Sequence, residues 1–139
     1  MQPPPTRPPA DAIDFRLRPP VSSDDLNALF AAAWPDHESQ AYDHVLARSL
    51  AWICAFADGK LVGYVNVAWD GGEHAFLLDP TVHPQHRRRG IGRELVWRAV
   101  AAAREGGAGW MHVDYEPHLD GFYHACGFRP TAAGLIRLR

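Results

Sequence analysis

Hydrophobic positions switch between two periods along the chain, and the switches mark its elements. Ile13, Phe15 and Leu17 alternate with Asp14, Arg16 and Arg18, the period of a half-buried strand, and Pro19 with Pro20 ends it. Leu26, Leu29, Phe30 and Ala33 then recur at helical spacing. Ser22 or Ser23 can cap that helix, Asp24 and Asp25 suit its first turn, and Pro35 stops it. A weaker helical pattern over 41–50 puts Tyr42, Val45, Leu46 and Leu50 on one side.

From residue 51 the pattern is that of a strand meander. Residues 52–56 form an apolar strand, Asp58-Gly59 supplies the positive backbone dihedrals of a tight hairpin, and 61–69 returns. After the turn Asp70-Gly71-Gly72 a third strand, 74–82, leads into VHPQHRRRGIG at 82–92, and a helix follows with Ile91, Leu95, Ala99, Ala102 and Ala103 inward. Gly106, Gly107 and Gly109 end it, and 110–114 predicts another strand. Pro117 opens a short helix carrying Phe122, Tyr123 and Cys126, Gly127 stops it, and Phe128 and 135–138 predict two closing strands. The order, without internal repeat, describes an α/β domain with a mixed sheet. The unit over 74–114 joins two parallel strands by a right-handed crossover, and ligands favour the carboxyl ends of such strands.

A length of 139 residues allows one domain, here 12–139, behind a Pro-rich tail over 1–11 that reads as disordered. The 47% hydrophobic and 22% charged residues exclude wholesale disorder. A net charge of −2 lacks the basic excess of a nucleic-acid binder. No apolar run approaches the roughly 18 residues of a membrane span and no signal peptide opens the chain, which predicts a cytoplasmic protein without a membrane partner. Cys54 and Cys126 read as reduced thiols. His83 with His86 and His118 with His124 do not fit zinc spacing, so no metal is expected.

Of the 14 basic residues only Lys60 is lysine, and Arg87, Arg88, Arg89 and Arg93 gather at one predicted strand–loop–helix junction. A helix start has unpaired N–H groups and the positive end of the dipole. Gly90 and Gly92 let anionic oxygens approach that backbone, and the arginines add charge. Pyrophosphate suits such a nest. No Lys-Ser/Thr follows Gly92 for a P-loop and no third glycine falls at the dinucleotide spacing, which disfavours nucleoside triphosphates and NAD.

Arg87-x-x-Gly90-x-Gly92 behind Val82-His83-Pro84 resembles the pyrophosphate loop of the GNAT superfamily of N-acetyltransferases. Residues 58–63, DGKLVG, resemble that family's hairpin, and 122–128, FYHACGF, its carboxy-terminal motif. The resemblance implies a central mixed, mostly antiparallel sheet flanked by helices, acetyl-CoA as cosubstrate, and direct acetyl transfer to a primary amine, of a small molecule or of a protein lysine or amino terminus. It implies that Thr81, Val82, His83, Arg87, Arg88, Arg89, Gly90, Ile91, Gly92 and Arg93 hold the cosubstrate, the first three through main-chain atoms beside a strand bulge. It also implies that Tyr123 protonates the departing thiolate, and dimers are common in the family.

Direct transfer further needs a base, because an amine of pKa about 10 is ammonium at neutral pH. Asp114 and Glu116 fall on one side of an extended segment, with Asp79 in the preceding strand, and a water chain would also serve. In this fold the acceptor meets the link between the first two helices, here Trp34, His37 and Tyr42, with Trp69 and Asp79 opposite. Aromatic walls with carboxylates favour a cationic amine. A CoA-binding sensor without turnover and a polyanion-binding module are the competing readings.

Overall fold

The computed structural model describes residues 13–139; the Pro-rich tail lies outside the described residues. Five strands form one sheet in the order β1-β2-β3-β4-β5. They are β1 (Ile13–Leu17), β2 (Ala51–Ala57), β3 (Lys60–Trp69), β4 (His74–Val82) and β5 (Trp110–His112). The first four pair antiparallel, and β4 with β5 is parallel. The helices are α1 (Ser23–Ala33), α2 (Asp43–Arg48), α3 (Ile91–Glu105) and α4 (Asp120–Ala125).

Strand alternation sends side chains to two cores. Ile53, Ala55, Val65, Val67, Ala75 and Leu77 point to one face and pack under Ile91, Leu95, Val96, Ala99 and Ala103 of α3, with Tyr123 of α4. Cys54 and Tyr64 point to the other and pack under Leu26, Leu29 and Phe30 of α1 and Leu46 of α2. Burial of this kind, at about 25 cal/mol per Å² of apolar surface, holds the three layers together. Ser22 caps α1, its Oγ accepting the N–H of Asp25 at 3.0 Å, and Asp24 and Asp25 lie in the first turn. Helix α3 crosses from β4 to β5 close to the sheet. A Cβ at Gly63 would stand 3.1 Å from both Ala55 Cβ and Leu95 Cδ1 and 3.3 Å from Ile91 Cγ2.

Two departures from strand regularity shape one end of the sheet. Tyr64 pairs with Thr81 and Asn66 with Leu78, so Asp79 and Pro80 together oppose Val65 in a bulge, with Asp79 at φ 55°. An extra residue strengthens local twist and re-aims side chains. Pairing of β4 with β5 stops at Phe76 and His112, while β4 runs on to Val82. The two strands therefore part, and a gap opens between them.

Three sequence expectations fail here. The helix expected over 41–50 is confined to α2, because Tyr42 is its cap and Ser49 is extended. The strand expected over 110–114 ends at His112, where its partner diverges. The closing strands at Phe128 and 135–138 do not form: Leu135, Ile136 and Leu138 are 84%, 86% and 93% exposed, with no strand beside them among the described residues. Alternation shows that a segment suits a strand, but a strand also needs a partner.

Gly63 yields a direct check. Gly63→Val should lower stability by about 1–3 kcal/mol by overpacking the α3–sheet contact, whereas Gly121→Ala in α4, with nothing within 4 Å of the added Cβ, should be neutral or slightly stabilising. Urea unfolding midpoints at unchanged slope measure both.

Candidate active site

The arginine-glycine loop leaves the end of β4 through a 3-10 turn over Pro84–His86. His83 caps that turn, its Nδ1 accepting the N–H of Gln85 at 3.2 Å. The chain then adopts positive φ at Arg88 (63°) and Gly90 (76°), and Gly90 caps α3 without any side-chain hydrogen bond. The first bond of the helix runs from Glu94 N–H to the Gly90 carbonyl at 3.1 Å, so the N–H groups of Ile91, Gly92 and Arg93 have no intrahelical acceptor. Nothing lies within 4 Å of a Cβ placed on Gly90, and at Gly92 the nearest atoms, on Phe122 and Val82, stand at 3.6 and 3.7 Å. The glycines are not demanded by the protein's own packing, and they leave an open cradle. Arg87, Arg88 and Arg89 are exposed and, among the described residues, make no ion pair. Ile91 is buried in the core, so only its backbone faces the cradle. Arg93 leans along the helix, its guanidinium 5.9 Å from the Trp97 ring.

Beyond the cradle lies the open edge of β4. His83 donates its backbone N–H to Val62 on the β3 side at 2.8 Å. Antiparallel alternation therefore turns the Val82 N–H toward the other edge, where β5 no longer pairs. Thr81 is buried, and its hydroxyl donates to the Asp79 carbonyl at 2.8 Å within the bulge.

Titratable groups meet at the gap. Tyr123 is 4% exposed, part of the core under α3, stacked on Tyr115 at 4.6 Å and edge-on to Phe122 at 5.0 Å and Phe128 at 5.8 Å. Burial, then the neighbouring Cys126, Asp114 and Tyr115, push its phenol up to about 12. Asp79 is exposed at the bulge, yet enough protein surrounds its carboxyl to desolvate it in part. That desolvation first, and the Asp114 charge second, raise its carboxyl above the ordinary value. Asp79 in turn adds to the raised pKa of the buried Tyr64. Asp114 thus lies within electrostatic reach of both Asp79 and Tyr123. Glu116 starts the 3-10 turn over Pro117–Leu119, exposed, and contributes to neither shift.

The expected acceptor wall is only partly assembled. Trp34 stacks on Phe30 at 4.5 Å, His37 Nε2 is 2.8 Å from Asn27 Oδ1, and both line an open recess of about 400 Å³ with Pro35, Asp36, Glu38 and Gln40. That recess includes neither Asp79 nor Tyr123, so the chemistry is not there. Tyr42 is buried edge-on to Phe30 at 5.3 Å and serves the core. Trp69 lies opposite Ala75, on the α3 face rather than with Trp34, and Asp79 belongs with the proton-handling groups. Sequence reasoning missed a buried polar set beside Asp79. The Asn66 amide donates to Ser49 Oγ at 2.7 Å and to the Tyr64 hydroxyl at 3.1 Å, while its Oδ1 has no partner in the structure. Tyr64 and Asn66, two apart in an apolar strand, were its only signal. Cys126, whose thiol burial raises, is a packing residue rather than an acyl carrier. No group of three His, Cys, Asp or Glu among the described residues could hold a metal.

The geometry has counterparts among known proteins. A model of the acetyltransferase (GNAT) family matches residues 22–128. A protein of Oryza sativa subsp. japonica, "Probable glucosamine 6-phosphate N-acetyltransferase 2", is 32% identical over 115 residues, covering 75% of this chain and 66% of its own length. A solved GNAT-family acetyltransferase from Streptococcus pneumoniae TIGR4 superposes with a TM-score of 0.78 at 25% identity, over 91% of this chain and 98% of that one. An aminoglycoside N-acetyltransferase solved in complex with CoA superposes with a TM-score of 0.73 at 22% identity, over 91% of this chain and 94% of that one. From the cap of α1 to Phe128, through the arginine-glycine cradle and the parted strands, the chain belongs to the acetyltransferase (GNAT) family.

Proposed function

We propose that the chain is an acetyl-CoA-dependent N-acetyltransferase that transfers the acetyl group directly to a primary amine. What supports this reading is the parting of β4 from β5, with the anion cradle following the end of β4 and Asp114 within electrostatic reach of both Asp79 and Tyr123. The cradle fits a pyrophosphate: free N–H groups at the start of α3, Gly90 open to solvent and Gly92 with no neighbour nearer than 3.6 Å, and three exposed arginines. The open edge of β4 offers backbone groups to an extended pantetheine arm, and the Val82 N–H is the donor available to the thioester oxygen. Acetyl-CoA supplies the activated acyl group, and the remaining work falls to side chains of this chain.

Asp79 is assigned the base. A carboxylate raised by its surroundings narrows the gap to the pKa of an ammonium, and Asp114 beside it adds a second negative charge that draws the cation in. Tyr123 is assigned the acid. Its phenol stays protonated through neutral pH and is presented by aromatic packing on the α4 side. Asp79 takes one proton from the ammonium; the freed amine nitrogen bonds to the acyl carbon while the carbon–sulfur bond breaks, Tyr123 gives its proton to the sulfur, and the second proton lost by nitrogen restores the Tyr123 phenol. Glu116 has no assigned part. Free Cys54 and Cys126 suit the reducing cytoplasm, and no helix among the described residues is long and apolar enough to cross a membrane.

Thiol release from acetyl-CoA with a panel of primary amines tests the reading. Saturable acetyl-CoA binding without turnover of any amine would leave a CoA sensor in its place. Tyr123→Phe should cut kcat roughly 10- to 100-fold while acetyl-CoA affinity holds, the low end for an acid because a thiol of pKa about 8.5 leaves readily. Arg89→Glu and Gly92→Asp should each weaken acetyl-CoA binding, measured calorimetrically, by about tenfold or more. For Asp79→Asn the signs oppose. The raised carboxyl binds its proton more tightly folded than unfolded, so its contribution favours folding below pH about 3.9 and is lost as pH rises through the folded value. The variant should therefore melt higher than the parent at pH 7, the difference should shrink toward pH 4, and turnover should be lost; melting curves across that range check it.

A further inference from the structure

On the face of the sheet that carries α1 and α2, the helices leave part of β4 and β5 uncovered. Phe76 and Leu78 are 39% and 38% exposed, and Trp110 is 56% exposed. Scattered apolar residues on a surface are ordinary, but these follow one another along a line. Phe76 is in register with His112 and stacks on it at 4.8 Å and 19°, and His74 Nδ1 lies 2.8 Å from His112 Nε2. On the β3 side Phe76 pairs with the small Ala68 and Leu78 with the buried Asn66, which leaves the strip flat.

At its inner end the strip reaches the bulge. Asp79, three residues or about 10 Å along the strand from Phe76, has electrostatic contact with Tyr64, a residue of this face, and with Asp114. Neither β4 nor β5 contains Lys or Arg. Arg129 lies at the far end, its guanidinium 5.9 Å from the Trp110 ring. The chemistry along the line is therefore two carboxylates, then an apolar and aromatic track, without a cation beside the carboxylates.

Resting on the acetyltransferase reading above, we propose that the acceptor is an arylalkylamine: a primary ammonium at Asp79 and Asp114, joined by a short methylene chain to a flat ring that lies over Phe76 and His112. The products are the N-acetyl arylalkylamine and free CoA: of the two protons the ammonium loses, the first goes to Asp79 and the second restores the Tyr123 phenol that has given its own proton to the sulfur. For a sugar phosphate the cation at the track is Arg129, at its far end beyond Phe76 and His112, and the aromatic surface between is a poorer match to a polyhydroxy ring than to an aryl group.

The test is kcat/KM by thiol release from acetyl-CoA with the full chain and four acceptors: 2-phenylethylamine, tryptamine, n-butylamine and glucosamine 6-phosphate. The two aromatic amines should exceed n-butylamine by about tenfold, the scale of a ring–ring contact, and the sugar phosphate should stay near background. In Phe76→Ala the aromatic-to-aliphatic ratio should fall to within about twofold, and in Phe76→Trp it should be kept. Turnover of n-butylamine equal to that of the aromatic amines, a ratio untouched by Phe76→Ala, or preference for the sugar phosphate overturns the acceptor class and leaves the acetyltransferase reading standing. No turnover of any amine overturns both. Sedimentation of parent and Phe76→Ala covers the remaining occupant: a dimer that becomes monomeric on this substitution makes the strip an interface between copies and overturns the proposal.

Discussion

The parting of β4 from β5 is the constraint on which the site depends. Parallel pairing lasts only from His74 and Trp110 to Phe76 and His112, after which the bulge at Asp79 and Pro80 turns β4 away. A continuous sheet would have bonded the Val82 N–H to a neighbouring strand and sealed the two faces from each other. Close seating of α3 over Gly63 fixes where that helix begins, and so where the cradle sits relative to the open edge. Backbone irregularity at one strand and backbone proximity at another thus position groups whose side chains lie far apart in sequence.

Charge is segregated along the same line. Arginines crowd the start of α3, where the helix dipole already favours an anion, and Asp79 with Asp114 occupies the opposite part of the gap. The chain's net charge of −2 conceals both poles. Two carboxylates within electrostatic reach of each other work against folding at neutral pH; under the proposed mechanism the same crowding brings Asp79 nearer the pKa range of a useful base. Tyr123 is tuned differently, with no charge partner to lower it and burial as the main cause of its raised phenol.

The element order as far as the last helix and the cradle were legible in the sequence because each has a local signature: alternation, helical period, a Ser22 cap, glycines at a helix start. The site's interior was less legible. Asp79 reads in sequence as one acidic residue in a strand, and only the two-against-one register opposite Val65 re-aims it. Trp69 and Tyr42 looked like walls because aromatic residues near a polar link suggest a pocket. Parity along β3 sends Trp69 to the wrong face, and packing on Phe30 takes Tyr42 into the core. Asp114 and Glu116 share a side of an extended segment, yet the turn at Pro117 carries Glu116 out to solvent. The closing strands failed for a related reason, since the apolar positions in 135–138 specify a suitable conformation but no partner.

Because β4 runs on past its pairing with β5, the backbone groups of its last residues on that side have no strand partner among the described residues. Unpaired edge groups of this kind are a template for another extended segment. The stretch that would receive a pantetheine arm under the proposed function is thus, without it, the part of the sheet most open to pairing with a foreign strand.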